Sequence, residues 1–163
     1  MNTKYCSEKF NSVIHIKRTQ SSDPDFQKLI KDLDRELAIR DGDEHAFFAQ
    51  YNTLVNIQHV VLIMVDDTAV GCGAIKPYSE TTIEVKRMFV AEDHRSAGLA
   101  TMILTELENW TTELEFRHCI LETGIRQPEA IRLYTKNAYQ SIPNYGQYEG
   151  VASSVCFEKW LAE

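Results

Sequence analysis

The sequence predicts a mixed α/β fold in which a mainly antiparallel sheet is flanked by helices and contains one parallel β-α-β crossover. Two observations support this prediction. Apolar, β-branched runs separated by short turns fill the middle of the chain, as in an antiparallel meander. After Val90 the apolar period changes from two residues to three or four, and a strand-like run returns at His118, so a helix connects two parallel strands in a right-handed unit.

The N-terminal part of the chain predicts one strand and two helices. Val13–Ile16 is β-branched and alternates as a strand does. The Asp23-Pro24 step marks a helix start, and apolar residues recur every three or four positions over Pro24–Ile39. The Asp41-Gly42-Asp43 sequence ends that helix, and a shorter one is expected over Glu44–Tyr51.

Three strands form the predicted meander. His59–Val65 is an almost unbroken apolar run, and the Asp66-Asp67 pair is typical of a turn. Val70–Ile75 returns as the second strand, and Thr81–Val90 is the third.

The C-terminal part alternates helix and strand before ending in two strands. The predicted elements are an amphipathic helix over Leu99–Leu114, a strand over His118–Thr123, a helix over Pro128–Tyr139, and strands over Gln140–Tyr148 and Ser153–Leu161.

Length and composition predict a single domain over residues 1–163, with 44% hydrophobic and 25% charged residues. The 17 basic and 24 acidic residues give a formal net charge of -7, so we expect no nucleic-acid partner, because a phosphate-backbone binder needs a basic face. An acidic surface favours the approach of cationic amines, although solubility alone also explains it.

The cysteines and histidines give no pattern of metal ligands. Cys6, Cys72, Cys119 and Cys156 are scattered without a C-x-x-C pair, and the five histidines fall on different elements, so we expect no metal. The N-terminus lacks the apolar core of a signal peptide, and no apolar run is long enough to span a bilayer. We therefore expect a cytoplasmic protein with no membrane partner.

The junction between the third meander strand and the long helix is rich in small residues. These are Ser96, Ala97, Gly98 and Ala100. They let the backbone approach a ligand closely, and the first N–H groups of the helix have no partner inside it. A pyrophosphate placed there accepts from those donors at the positive end of the helix dipole. A plain tight turn explains the small residues equally well when they are taken alone.

Arg95, Gly98 and Ala100 follow the apolar strand end Met88-Phe89-Val90. This arrangement resembles the signature of the GNAT acetyltransferase superfamily, although Ser96 stands where that family has its first glycine. The resemblance implies acetyl-CoA as the co-substrate and a bulge that splays this strand from the next one, with the cofactor in the gap. The implied cofactor-binding residues are Met88, Phe89, Val90, Arg95, Ser96, Ala97, Gly98, Leu99, Ala100, Thr101 and Gln127.

Two later strings, Leu121-Glu122-Thr123-Gly124 and Gln127-Pro128-Glu129-Ala130-Ile131, resemble the family's second cofactor region and a narrower group of small bacterial members. In those enzymes a tyrosine of the following helix lies near the coenzyme A sulfur and protonates the departing thiolate. Tyr134 occupies that place. Gln127 stands where asparagine is common, and Ala138-Tyr139 stands where a glycine and an aromatic residue usually close the helix.

The resemblance implies direct transfer of an acetyl group to a primary amine, with a carboxylate that deprotonates the amine directly or through water. Glu84 and Glu122 are the candidates, and we rank Glu84 first. Glu84 can instead pair with Lys86 or Arg87. Glu122 can instead cap the segment after it, and Tyr134 can instead be a core aromatic.

Two other functions fit parts of the same pattern. A coenzyme A-sensing module without catalysis keeps the fold, but Tyr134 and the two glutamates disfavour it. A nucleotide-phosphate binder uses a similar loop, but the chain has no Gly-Lys-Ser/Thr string. We expect a small-molecule amine as acceptor, while a protein N-terminus, a protein lysine and a homodimer stay open.

Overall fold

The computed structural model describes residues 4–7 and 12–162, with side chains from residue 12 onward. The strands are β1 Lys4–Ser7, β2 Ser12–Thr19, β3 His59–Val65, β4 Thr68–Pro77, β5 Thr82–Val90, β6 His118–Gly124, β7 Gln140–Ile142 and β8 Ser154–Trp160. The helices are α1 Pro24–Asp41, α2 His45–Ala49, α3 Leu99–Glu113 and α4 Pro128–Lys136. Short 3₁₀ turns cover Gly42–Glu44, Glu92–His94 and Gly146–Tyr148.

These strands form one sheet in the order β1-β2-β3-β4-β5-β6-β8-β7. Within the described residues, β5 and β6 form the parallel pair and the other neighbours are antiparallel. Helix α3 connects the two parallel strands. The predicted mixed, mainly antiparallel sheet with one parallel crossover is therefore confirmed.

Apolar side chains cover both faces of the sheet. On one face, Phe26, Leu29, Ile30 and Leu33 of α1 pack against Val60, Leu62, Met64, Cys72, Ala74 and Phe89. On the other face, Leu99, Ile103, Leu104 and Leu107 of α3 pack against Val61, Ile63, Ile75, Ile83, Val85 and Leu121. Strand β3 is covered on both sides, which explains why its sequence is continuously apolar instead of alternating.

Several predicted boundaries were wrong. Strand β1 was not predicted, because its short sequence has no apolar alternation. The predicted helix over Glu44–Tyr51 is a 3₁₀ turn followed by the five-residue α2. The predicted strand over Gln140–Tyr148 ends at Ile142, because Pro143 has no N–H to continue the ladder. The last predicted helix ends at Lys136, before the left-handed Ala138.

Three of the four cysteines are buried free thiols, as expected of small buried side chains: Cys72, Cys119 and Cys156. The side chain of Cys6 lies outside the described residues, as do positions 1–3 and 8–11 of the N-terminal stretch on which the signal-peptide expectation rests. No helix in the described part of the chain combines the length and the hydrophobicity needed to cross a membrane.

Gly73 lets α3 pack closely on the sheet. A Cβ atom built at this position would lie 2.5 Å from the sulfur of Met88, 2.8 Å from Ile103 and 2.9 Å from Leu107. The contact therefore has no room for a methyl group, and the register of α3 on β4 depends on the glycine.

We expect Gly73→Ala to lower the free energy of unfolding by about 1–3 kcal/mol, because overpacking of this size forces side chains and backbone to shift. Urea denaturation measures the change. Gly124→Ala is the control, since its new methyl group would meet only ordinary contacts, the nearest at 3.5 Å. Equal effects of the two substitutions would contradict the close packing inferred at Gly73.

Candidate active site

The two parallel strands separate soon after they begin to pair. Residues Thr82, Ile83 and Glu84 of β5 pair with His118, Cys119 and Ile120 of β6. Beyond Glu84, β5 pairs with β4, and β6 continues along β8. The cavity-facing edge of β5 from Val85 to Val90 therefore has no strand partner within the described residues, and its backbone groups remain available to a ligand.

A β-bulge accompanies this separation. Cys72 of β4 pairs with Phe89, whereas Ala74 pairs with Lys86, so β5 has one more residue than β4 over this stretch. Arg87 takes up the difference with a φ of 58°, and its carbonyl accepts a hydrogen bond from the Cys72 thiol at 3.4 Å. The bulge and the splayed strands agree with what the family resemblance implies.

The gap between the strands opens into a cavity of about 640 Å³, a size typical of small-molecule sites. Its walls come from α1, the bulged part of β5, the start of α3, the end of β6 and α4. The expected cofactor residues that line it are Met88, Phe89, Val90, Arg95, Ser96, Gly98, Leu99, Ala100, Thr101 and Gln127, whereas Ala97 does not. Tyr134 and Glu122 also line the cavity, and Glu84 does not.

The loop before α3 has the backbone geometry that an anion cradle requires. Ser96 and Gly98 have positive φ values of 61° and 80°. The Met102 N–H bonds to the Gly98 carbonyl, so the N–H groups of Leu99 to Thr101 have no acceptor within the helix. A Cβ atom at Gly98 would enter open space. Donors and space together fit the pyrophosphate of coenzyme A.

Arg95 fixes this loop to the body of the protein. Its Nε donates to the Val90 carbonyl at 2.8 Å, and its Nη2 donates to Glu36 at 2.5 Å. The guanidinium also lies 5.7 Å from the centroid of the Phe89 ring. The arginine therefore ties β5, the loop and α1 together while it lines the cavity.

Tyr134 lies in an aromatic cluster at the inner wall. Its ring contacts Tyr139 and Phe157 at centroid distances of 5.8 and 5.9 Å, and the residue is buried. Burial raises the pKa of its phenol above the ordinary value, and the charge of Glu122 adds to the rise. The hydroxyl is therefore protonated throughout the physiological pH range.

The two candidate carboxylates have different surroundings. Glu84 is buried away from the cavity, accepts a hydrogen bond from the Tyr145 hydroxyl at 2.9 Å and pairs with Lys86 at 3.6 Å. Glu122 accepts from Ser154 at 2.7 Å and faces the cavity. Burial raises the pKa of the Glu122 carboxyl to about 7, although the Ser154 hydrogen bond and the Lys86 charge oppose the rise. Glu122 is therefore poised to exchange a proton near neutral pH.

Ion pairs and backbone contacts connect α1 with the start of α4 beside the cavity. Arg40 pairs with Glu129 and also donates to the carbonyl of Arg126 at 3.2 Å. In return, Arg126 donates to the carbonyl of Asp41 at 2.6 Å. We call these contacts the α1–α4 bridge. Sequence reasoning missed them, because partners 85 or more residues apart leave no local pattern.

The histidines and acidic residues do not assemble into a metal site within the described residues, where no group of three or more potential ligands could hold an ion. The pairing expected of Glu84 with Lys86 is present, whereas Arg87 pairs with Asp34 at 2.6 Å. Glu122 bonds to Ser154 of β8 instead of capping the segment after it.

Comparisons with known proteins agree with this geometry. The model of the Acetyltransferase (GNAT) family matches residues 17–139. An IAA acetyltransferase of Azospirillum brasilense is 32% identical over 142 residues, which cover 82% of this chain and 89% of that protein. The narrower bacterial group suggested by the two strings stays a prediction.

Solved structures extend the likeness to the fold. A structure from Klebsiella pneumoniae, whose name describes an acyl-CoA N-acyltransferase, is 32% identical in sequence with a TM-score of 0.75. The match covers 90% of this chain and 97% of that chain. A GNAT family acetyltransferase of Elizabethkingia anophelis, solved with acetyl-CoA bound, is 17% identical in sequence with a TM-score of 0.66. The match covers 91% of this chain and 98% of that chain, and at this identity it shows only that the fold is shared. The chain belongs to the GNAT acetyltransferase family and is an acyltransferase.

Proposed function

We propose that this enzyme transfers the acetyl group of acetyl-CoA directly to a primary amine of a small molecule. The observation that carries the proposal is that Glu122, whose pKa is about 7, and the protonated Tyr134 line one cavity between splayed strands. The name of the Azospirillum brasilense relative, an IAA acetyltransferase, is consistent with a small-molecule acceptor. The net charge of -7 favours the approach of a cationic amine.

Acetyl-CoA binding is proposed at the loop and strand edge. The N–H groups of Leu99, Ala100 and Thr101 receive the pyrophosphate, and the unpaired edge of β5 from Met88 to Val90 receives the pantetheine and the acetyl carbonyl. A backbone N–H at that edge can stabilise the negative charge that develops on the carbonyl oxygen. Arg95, Ser96 and Gln127, which line the cavity, complete the proposed contact set. The family resemblance also implies a contact from Ala97, which does not line the cavity.

The proton balance of the transfer assigns a role to each side chain. The amine nitrogen attacks the thioester carbon, the carbon–sulfur bond breaks, and the amine loses one proton while the sulfur gains one. Glu122 accepts the first proton, directly or through water, and Tyr134 donates the second. Glu84, with its oxygens engaged by Tyr145 and Lys86, is proposed as a positioning residue beneath the site.

We also propose four coarser properties of this protein. They are a single acetyltransferase domain over residues 1–163, a cytoplasmic location, membership of the narrower bacterial group and a function without a metal ion.

The role of Glu122 predicts a pH dependence. Because the carboxylate form accepts the proton, kcat/KM should rise with pH through a limb centred near 7, the pKa of Glu122 in the free enzyme. Glu122→Gln should remove this limb and lower kcat by about 10²- to 10⁴-fold. Stopped-time assays of thiol release from pH 5.5 to 9 measure both. Glu84→Gln is the matched control and should keep the limb; the reverse result would assign the base role to Glu84.

Ser154 offers an independent check on the same assignment. Its hydroxyl donates to Glu122, and this hydrogen bond lowers the pKa of the carboxyl by favouring the charged form. Ser154→Ala should therefore move the limb of the kcat/KM profile to higher pH. A shift to lower pH, or none, would show that a different group titrates.

Removal of the Tyr134 hydroxyl distinguishes a role in proton donation from a role in packing. Tyr134→Phe should lower kcat by at least about 100-fold while the melting temperature barely moves, because the ring still fills its volume. Tyr139→Phe is the control, since that ring contacts Tyr134 but does not line the cavity. Full turnover in Tyr134→Phe would remove the tyrosine from the mechanism and leave water as the proton source.

Cofactor binding is tested at Gly98. Acetyl-CoA at about 100 times its Kd should stabilise the enzyme by about 2.7 kcal/mol, measured as a rise in melting temperature. Gly98→Val should abolish the rise, because a β-branched side chain strains the left-handed backbone and fills the cradle. Gly150→Val is matched to it, since Gly150 also has a positive φ and open space but lies outside the cavity. A wild-type protein stabilised by ATP and not by millimolar acetyl-CoA would favour the nucleotide-phosphate alternative.

A further inference from the structure

Asp41 is a carboxylate at the wall of the cavity that the proposed reaction leaves unused. The residue is 8% exposed and lines the cavity, and its side chain keeps 11% of its surface accessible, so a bound molecule can reach it. The Nδ1 atom of His45 lies 3.6 Å from the carboxylate, beyond hydrogen-bond distance. Arg126 is near, but its Nη1 atom donates to the backbone carbonyls of Arg40 and Asp41. Within the described residues the carboxylate therefore lacks a strong donor, which costs free energy at a buried position.

Asp41 shares the cavity with Glu122. The negative charge of Asp41 is one of the causes that raise the pKa of Glu122, so the two carboxyl groups lie within electrostatic range of each other. Leu37 and Phe48 also line the cavity, and their side chains carry no polar atom. Two carboxylates and apolar walls together favour an aliphatic molecule that carries a positive charge at each end.

The other charged residues of this part of the cavity already have charged partners. On α1, α2, β5 and β6, the charged lining residues are Glu36, Asp41, Lys86, Arg87 and Glu122. Glu36 pairs with Arg40 and Arg95, Lys86 pairs with Glu84, and Arg87 pairs with Asp34. Asp41 has only the imidazole of His45 within ion-pair distance among the described residues, and that ring is charged only when protonated. Apart from the proposed base Glu122, Asp41 is therefore the lining charge of these elements without a permanently charged partner.

The position of Asp41 at the end of α1 adds to the preference for a cation. Asp41 is the last residue of this helix. The final carbonyl groups of a helix carry a partial negative charge and attract cations. Arg126, which does not line the cavity, already donates to two of these carbonyls. A positively charged group of a ligand is thus favoured both by the carboxylate and by the helix dipole.

We infer that the acceptor is an aliphatic diamine, in which one amine reacts at Glu122 while the second, protonated amine binds Asp41. The inference rests on the proposed function and names its substrate class. An ammonium group brings several N–H donors to the carboxylate and so supplies the partner that Asp41 lacks. The alkyl chain between the two nitrogens lies against Leu37 and Phe48. A carboxylate in place of the second amine meets Asp41 as a like charge.

The first test compares primary amines that differ only at the far end of the chain. Each set contains a diamine, an amino alcohol and an amino acid of one length, such as 1,4-diaminobutane, 4-aminobutan-1-ol and 4-aminobutanoate, and the sets run from two to eight carbons. Thiol release from acetyl-CoA is measured for each compound. We expect the best diamine to exceed its amino alcohol by at least about tenfold in kcat/KM, beyond the twofold advantage of two equivalent amines, and the amino acid to be slowest.

Equal or better turnover of the amino alcohols or amino acids at every length would overturn the inference and leave the proposed function intact. If no probe is acetylated, both fail.

The second test removes the carboxylate charge. Asp41→Asn should raise KM for the best diamine by about 10- to 100-fold, change kcat less, and leave the amino alcohol nearly unaffected above the pH limb of Glu122. The ratio of diamine to amino alcohol, taken in each protein, cancels the intrinsic reactivity of the amines. Asp43→Asn is the matched control, because it removes the same charge from an exposed side chain that does not line the cavity. An equal loss in both variants would show that net charge alone governs the preference and would overturn the inference.

The pH profile with the amino alcohol reports whether Asp41 and Glu122 share one site. The charge of Asp41 raises the pKa of Glu122, so Asp41→Asn should lower that pKa and move the rising limb of kcat/KM to lower pH. A limb that does not move would show that the two carboxylates do not act on one substrate site and would overturn the inference.

The melting temperature separates substrate binding from a structural role. Asparagine has nearly the volume of aspartate, and the substitution removes a buried charge that lacks a strong donor, so Asp41→Asn should keep or raise the melting temperature. A lower melting temperature together with an unchanged preference for the diamine would show that Asp41 is structural and would overturn the inference.

Discussion

The site depends on one interruption of hydrogen bonding, the end of pairing between β5 and β6 after Glu84. A parallel pair that continued would close the gap, satisfy the edge of β5 within the sheet and remove the cavity. The bulge at Arg87 accompanies the interruption, because the extra residue bends β5 where it leaves β6 and continues along β4. On the neighbouring strand β4, the close packing of α3 at Gly73 holds the helix against the sheet.

Because the cavity lies between two apolar layers, burial is the largest influence on the pKa values of Glu122 and Tyr134. The same loss of solvent raises the pKa of Glu122 toward neutrality and keeps the phenol of Tyr134 protonated. A carboxyl group that titrates near pH 7 and a protonated phenol therefore line the same cavity. The hydrogen bond from Ser154 and the charge of Lys86 limit the rise for Glu122, so the carboxylate stays available.

Much of the fold could be predicted because the apolar periods are strong. The unbroken apolar run of β3 predicts a buried strand, and the apolar repeat of α3 predicts an amphipathic helix. The small residues before Leu99 predict the loop. Short elements with weak patterns, such as β1 and α2, were missed or misplaced. Among the candidate residues, the sequence analysis ranks Glu84 ahead of Glu122, whereas of the two only Glu122 lines the cavity. The sequence could not show this difference, because the Tyr145 hydroxyl that engages Glu84 and the Ser154 hydroxyl that engages Glu122 come from distant parts of the chain.

The α1–α4 bridge consists of side-chain hydrogen bonds to backbone carbonyls and of the ion pair between Arg40 and Glu129. Substitutions there disturb neither hydrophobic layer, so this border of the cavity can diverge at little cost to folding. The loop before α3 has no such freedom, since its geometry is set by backbone conformation at Ser96 and Gly98. One wall of the cavity is thus constrained by backbone conformation, while the wall at the α1–α4 bridge can change during evolution or in enzyme engineering.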